Sequence, residues 1–160
     1  MNHWTDALTY TPCEDALEWL RTQPDAGTAW ATCQRGDWML YHAGKLAGEP
    51  GSDARRPLVL AACECALLEF PFVRNGDLRP FNAIETSERW ARGGADAPTL
   101  DMVRQAYAAD AAYAADAAYA AYAAYAAYAA AYASAATQVR LKTLSQCADI
   151  VRKWYPRVPT

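Results

Sequence analysis

The chain has 160 residues and a formal net charge of −3, with both signs spread along it. That length fits one domain able to bury a core without metals or disulfides, and the charge balance lacks the concentrated basic face of a nucleic-acid binder. Hydrophobic residues make up 53% of the chain, but much of this is alanine, so the six tryptophans and the leucines are expected to supply most of the core.

Helix signals recur along the sequence and strand signals do not. Thr11-Pro12 ahead of Cys13-Glu14-Asp15 has the form of an N-cap, a first-turn proline and first-turn acids. Ala16, Leu17, Trp19 and Leu20 continue with helical spacing, and Gln23-Pro24 ends the helix. A second helix is predicted from about Asp25 to Gln34. Arg35-Gly36-Asp37 reads as a stop followed by a new N-cap rather than as an adhesion tripeptide. Trp38, Leu40, Tyr41 and Leu46 then form a third helix closed near Gly48. Glu49-Pro50-Gly51-Ser52 is a loop, and Arg55-Arg56 after it reads as a short solvated basic cluster. A buried helix is expected from Pro57 to Phe70, followed by an irregular stretch from Pro71 to Asp77. Pro80 opens a helix through Ile84, Trp90 and Ala91 that stops at Gly93-Gly94. Thr99 starts the last and longest helical segment.

Within that segment, Tyr or Asp recurs at every third place from Tyr107 through Asp110, Tyr113, Asp116, Tyr119, Tyr122, Tyr125 and Tyr128, with alanines between and Tyr132 closing the run. Alanine is the best helix former, so this tract is predicted to be helical. At about 100° per residue, Tyr107, Tyr125 and Tyr132 share a line with Leu100, Val103, Val139, Cys147, Ile150 and Trp154, which predicts one apolar stripe against the earlier helices. Asp116 lies about 180° away, flanked by Tyr113 and Tyr119. These three, with Asp110, are the candidate protein-binding residues, because exposed aromatics require an explanation that buried ones do not. A continuous helix from Thr99 to Tyr155 would span roughly 85 Å, against about 35–40 Å for a compact domain of this length. It must therefore overhang, offering a homodimer surface, or break into a hairpin near Ser134–Thr137.

The expected architecture is all-α: a single helical domain over residues 1–160, built as a bundle of about five to seven helices. Residues 10–94 form a short-helix half, and residues 99–155 the Ala/Tyr-rich long helix or helical hairpin.

Chemical signals are weak. Cys13, Cys33, Cys63, Cys65 and Cys147 are odd in number, and residues 1–6 do not resemble a secretory leader, which predicts reduced thiols in a cytoplasm. No tract has the hydrophobicity of a membrane span; Asp110 and Asp116 interrupt the nearest candidate. Cys63-Glu64-Cys65 places its thiols about 200° apart on a helix, unsuited to one metal, and core packing explains them. His3 and His42 are the only histidines. A Cys/His nucleophilic pair, with Cys33 and His42 as its candidates, has no local motif here, and Glu14, Asp15 and Glu18 are explained by the helix dipole. No catalytic residues, metal or cofactor are expected.

Several stretches carry a family resemblance. Cys13-Glu14-Asp15-Ala16-Leu17-Glu18-Trp19-Leu20, Cys33-Gln34-Arg35-Gly36-Asp37-Trp38-Met39-Leu40 and Arg56-Pro57-Leu58-Val59-Leu60-Ala61-Ala62-Cys63 are three of them. Ala83-Ile84-Glu85-Thr86-Ser87-Glu88-Arg89-Trp90 and Cys147-Ala148-Asp149-Ile150-Val151-Arg152 follow in order. Together they resemble the immunity proteins with an Imm-5-like domain, found in bacteria and phages, over nearly the whole chain. The resemblance implies a helical protein that binds and neutralises a toxin, and it assigns no catalytic residues. The expected function is a non-enzymatic inhibitor whose partner is a toxin or a bacterial defence component. A phage-encoded anti-defence (anti-CRISPR) inhibitor and a homo-oligomerising structural protein are the alternatives.

Overall fold

The computed structural model describes residues 3–49, 51–68, 79–94 and 137–160. Among these residues the protein is all-helical, with six α-helices and no strand. They are α1 (Glu14–Arg21), α2 (Ala26–Thr32), α3 (Gly36–Leu46), α4 (Arg56–Leu67), α5 (Arg79–Ala91) and α6 (Thr137–Trp154). Two 3-10 turns, Trp4–Ala7 and Asp53–Arg55, precede α1 and α4. The Ala/Tyr tract, with the candidate residues Asp110, Tyr113, Asp116 and Tyr119, lies outside the described residues, as does the Ser134 end of the predicted break. No helix among the described residues is long and apolar enough to cross a membrane.

Helix α4 is the centre. Leu58, Val59, Leu60, Ala61, Cys63 and Cys65 are all buried, so apolar contact surrounds most of it. One side packs on α5 through Val59, Leu60, Cys63, Trp90 and Ala91. The other joins α3 and α6 in the main core, where Met39, Leu40, Leu58, Cys65, Cys147, Leu144 and Val151 are fully buried. The two cysteines of Cys63-Glu64-Cys65 face different neighbours, as their spacing predicts. Cys63 Sγ points to the Ile84 carbonyl at 3.7 Å, and Cys65 Sγ to that of Cys147 at 3.9 Å. Between them Glu64 accepts from Lys153 Nζ at 2.7 Å and Trp154 Nε1 at 3.1 Å, tying α4 to α6.

Several local expectations are corrected. Helix α1 starts two residues late: Cys13 is extended and its carbonyl accepts the first helical bond, from Leu17 N, so Thr11 and Pro12 stay outside. Asp37 is not the N-cap of α3. Arg35 holds that position and Asp37 sits in the first turn, where the Arg35 guanidinium grips its carboxylate. Arg55 is not solvated but buried; its Nε donates to the Gly48 carbonyl at 2.6 Å and its Nη2 to that of Gly44 at 3.1 Å. A cation is thereby set on the negative end of α3. Gly48, at φ +79°, supplies the left-handed turn that stops α3. The predicted stripe on α6 is also rotated. Of its members Cys147 is buried and Ile150 and Trp154 pack on the core as expected, but the buried line, Leu144, Cys147, Ala148 and Val151, centres about 90° from the expected one, and Val139 is exposed. The line turns because α6 packs on α3 and α4 together. The core is also less dependent on tryptophan than composition suggests: only Trp30 and Trp90 are buried, and alanines and four cysteines fill much of the rest.

Candidate functional site

The short helices build a groove. The N-terminal segment through Cys13, one face each of α1, α2 and α3, and the tail at Val158–Thr160 line a cavity of about 1040 Å³. Helix α1 contributes Ala16, Trp19 and Leu20, and α3 contributes Trp38, Tyr41 and His42. In each helix the i, i+3, i+4 spacing puts the three side chains on one face. The rings are in mutual contact. Trp19 and Trp38 lie 5.9 Å apart between centroids, Tyr10 meets Tyr41 edge-on at 5.7 Å, and His42 is 5.6 Å from both Tyr10 and Trp30. The Arg35 guanidinium stacks 4.1 Å over Trp38.

The polar groups of this wall are largely paired with one another. Arg35 Nε and Nη2 donate to the two carboxylate oxygens of Asp37 at 2.8 and 2.6 Å, and these bonds hold Arg35 charged even more firmly than usual. His42 Nε2 faces the Pro159 carbonyl at 3.3 Å, and that carbonyl only accepts, so Nε2 carries the proton. Nδ1 is then the acceptor for the Tyr10 hydroxyl. Burial lowers the His42 pKa and, helped by the nearby Tyr41, pushes that of Tyr10 up to about 12. The pair is thus held neutral, as a cross-link between α3, the N-terminal segment and the tail. Indole N–H groups do similar work: Trp4 Nε1 donates to the Gln23 carbonyl and Trp30 Nε1 to that of Tyr155, each at 2.9 Å.

Cys33 and His42, the members of the Cys/His pair considered from sequence, both line the groove. No hydrogen bond joins them: the His42 nitrogens go to Tyr10 and Pro159, and the Cys33 sulfur to the backbone of Arg35. Burial raises the Cys33 pKa, which keeps its thiol protonated and a poor nucleophile. No group of three metal-ligating side chains occurs among the described residues. The arrangement is suited to binding through ring faces and indole N–H donors.

The sequence reading missed this groove because it assigned the aromatics to the core. The available signal was the face shared by Trp38, Tyr41 and His42 on α3, with Trp19 and Leu20 on α1. Comparison with protein-family models, curated proteins and solved structures gives no match for the chain.

Proposed function

We propose that this protein is a non-enzymatic inhibitor of the immunity type, which neutralises a toxin or a bacterial defence component by binding it directly. The observation that carries this reading is the aromatic groove. It is a wide, ring-lined surface on a helical support, in which His42 and Tyr10 are held neutral and Arg35 is paired with Asp37. Interfaces concentrate binding energy in tryptophan, tyrosine and arginine, and Trp19, Trp38, Tyr41 and Arg35 meet here. Five free thiols, four of them buried, support a reducing, cytoplasmic setting.

The test is co-expression of tagged protein in a bacterial host with chromosomally encoded toxin and defence systems, followed by purification and assay of any partner. The expected result is a stoichiometric complex in which the partner's toxic or nuclease activity is suppressed. Trp38→Ala should lose both the complex and the suppression while keeping its helical circular dichroism. Suppression that survives Trp38→Ala, or a protein that suppresses no recovered partner, would overturn the reading.

A further inference from the structure

The groove already holds one segment whose chemistry shows what it recognises. The tail after α6 reads Tyr155-Pro156-Arg157-Val158-Pro159-Thr160, with prolines three residues apart and no helix. Each proline fixes φ near −65° and removes a backbone N–H, so such a segment presents carbonyl acceptors and ring faces but few donors. The protein answers in kind. Trp30 Nε1 donates to the Tyr155 carbonyl, His42 Nε2 to the Pro159 carbonyl, and Val158 packs on the main core.

The same chemistry continues along the groove beyond the tail. Trp19 and Trp38 form a pair of tilted rings, and neither indole N–H makes a hydrogen bond among the described residues. The Tyr41 hydroxyl has only a long 3.5 Å contact to the Thr11 carbonyl. Asp37 is engaged by Arg35, and the Gln23, Tyr155 and Pro159 carbonyls by Trp4, Trp30 and His42. Asp15 is exposed at the mouth, where its carboxylate can meet a cation, and Arg140 lines the same groove. A helix has spent its carbonyls internally and would leave the indoles unmet. A proline-rich extended segment supplies acceptors and apolar rings together, and aromatic grooves bind it with little ordering cost.

We propose that the groove binds an extended, proline-rich segment of the partner protein, flanked by a basic residue, on the Trp19–Trp38 pair beside the chain's own Pro156–Pro159 tail. This rests on the partner-binding reading above and names what the partner presents.

The test uses the full chain and a synthetic peptide of repeated Pro-Pro-Arg, with Ala-Ala-Arg repeats as the control, followed by NMR of the indole N–H resonances. Saturable shifts are expected at Trp19 and Trp38, with smaller ones at Trp4 and Trp30, whose N–H groups are already bonded. Trp38→Phe keeps a ring and loses the donor, and should weaken binding about fivefold, as one lost hydrogen bond would. Equal affinity for the alanine peptide, shifts confined to other indoles, or no saturable shift in folded protein would each overturn the proposal. A partner captured through Trp38 with no proline-peptide binding would overturn this proposal and leave the inhibitor reading intact. Proline-peptide binding with no suppressed partner would do the reverse.

Discussion

Gly36 lies directly against Cys147: a Cβ on Gly36 would sit 2.3 Å from the Cys147 Cβ and 2.6 Å from the Ala148 nitrogen. Both neighbours are backbone or anchored directly to it, so neither can swing aside. The glycine is needed for size, since it is where the start of α3 touches the middle of α6. Gly36→Ala should therefore force the two helices apart and destabilise the protein by about 3 kcal/mol, at the upper end for overpacking. Urea unfolding of the two proteins measures this. A loss below about 1 kcal/mol would mean the helices can part at little cost.

Arg55 and Arg56 are neighbours in sequence with opposite environments. Arg55 is 9% exposed and bonds two carbonyls at the end of α3, whereas the Arg56 side chain is 35% exposed and pairs with the exposed Asp53. Arg55→Met keeps the apolar stem but strips the Gly44 and Gly48 carbonyls of their donors, at an expected cost of about 2–3 kcal/mol. Arg56→Met should cost under about 1 kcal/mol, because exposed pairs contribute little. Thermal melts of the two variants check the contrast, and equal losses would refute the capping role of Arg55.

The same pair marks where sequence reading stops. The helices were legible because local rules set them: Asp25 caps α2 by accepting from Thr28 N, Pro57 opens α4, and Gly93 at φ +87° follows α5. Nothing local distinguishes Arg55 from Arg56; only the return of α3 beside α4 buries one of them. The rotation of α6 has the same origin. Val139 and Leu141 are exposed although both are apolar, because α3 and α4 together select the Leu144–Val151 line. The groove was hidden for a related reason. Trp19 and Trp38 are separated by two turns and a helix, and their spacing on α1 and α3 suits a core as well as a binding surface. The predicted contact residues Asp110, Tyr113, Asp116 and Tyr119 are outside the described residues.

The cysteines should separate cleanly by reactivity. Cys13 is exposed at the N-cap of α1, and Cys33, Cys63, Cys65 and Cys147 are buried. Burial pushes the Cys63 thiol up to about 12, and the Cys147 side chain together with burial raises Cys65. In native protein at mildly alkaline pH, a thiol reagent such as DTNB should therefore modify Cys13 rapidly and the four buried thiols only as the protein unfolds. Peptide mapping after a short pulse identifies the labelled site. Rapid native labelling of Cys65 or Cys147 would show that the α4–α6 contact opens far more readily than its burial allows.

The neutral pairing of His42 makes stability depend on pH in a defined direction. Burial lowers the His42 pKa below its ordinary value of 6.5, so the unfolded chain takes up the proton first as pH falls. The stabilisation is therefore complete above 6.5 and is lost as pH drops through the lower folded value. Asp25, whose pKa is lowered mainly by the Thr28 N–H, acts in the same direction in the carboxylate range. At the alkaline end Tyr10 holds its proton to about 12 when folded but releases it near 10 when unfolded, and stability falls as pH rises through that interval. His42→Gln retains a donor for the Pro159 carbonyl and an acceptor for the Tyr10 hydroxyl but cannot titrate. Urea midpoints should decline as pH falls below 6.5 in the parent protein and stay flatter in this variant. A parallel decline in both would assign the acid sensitivity to other groups and remove His42 as the titrating link between α3 and the tail.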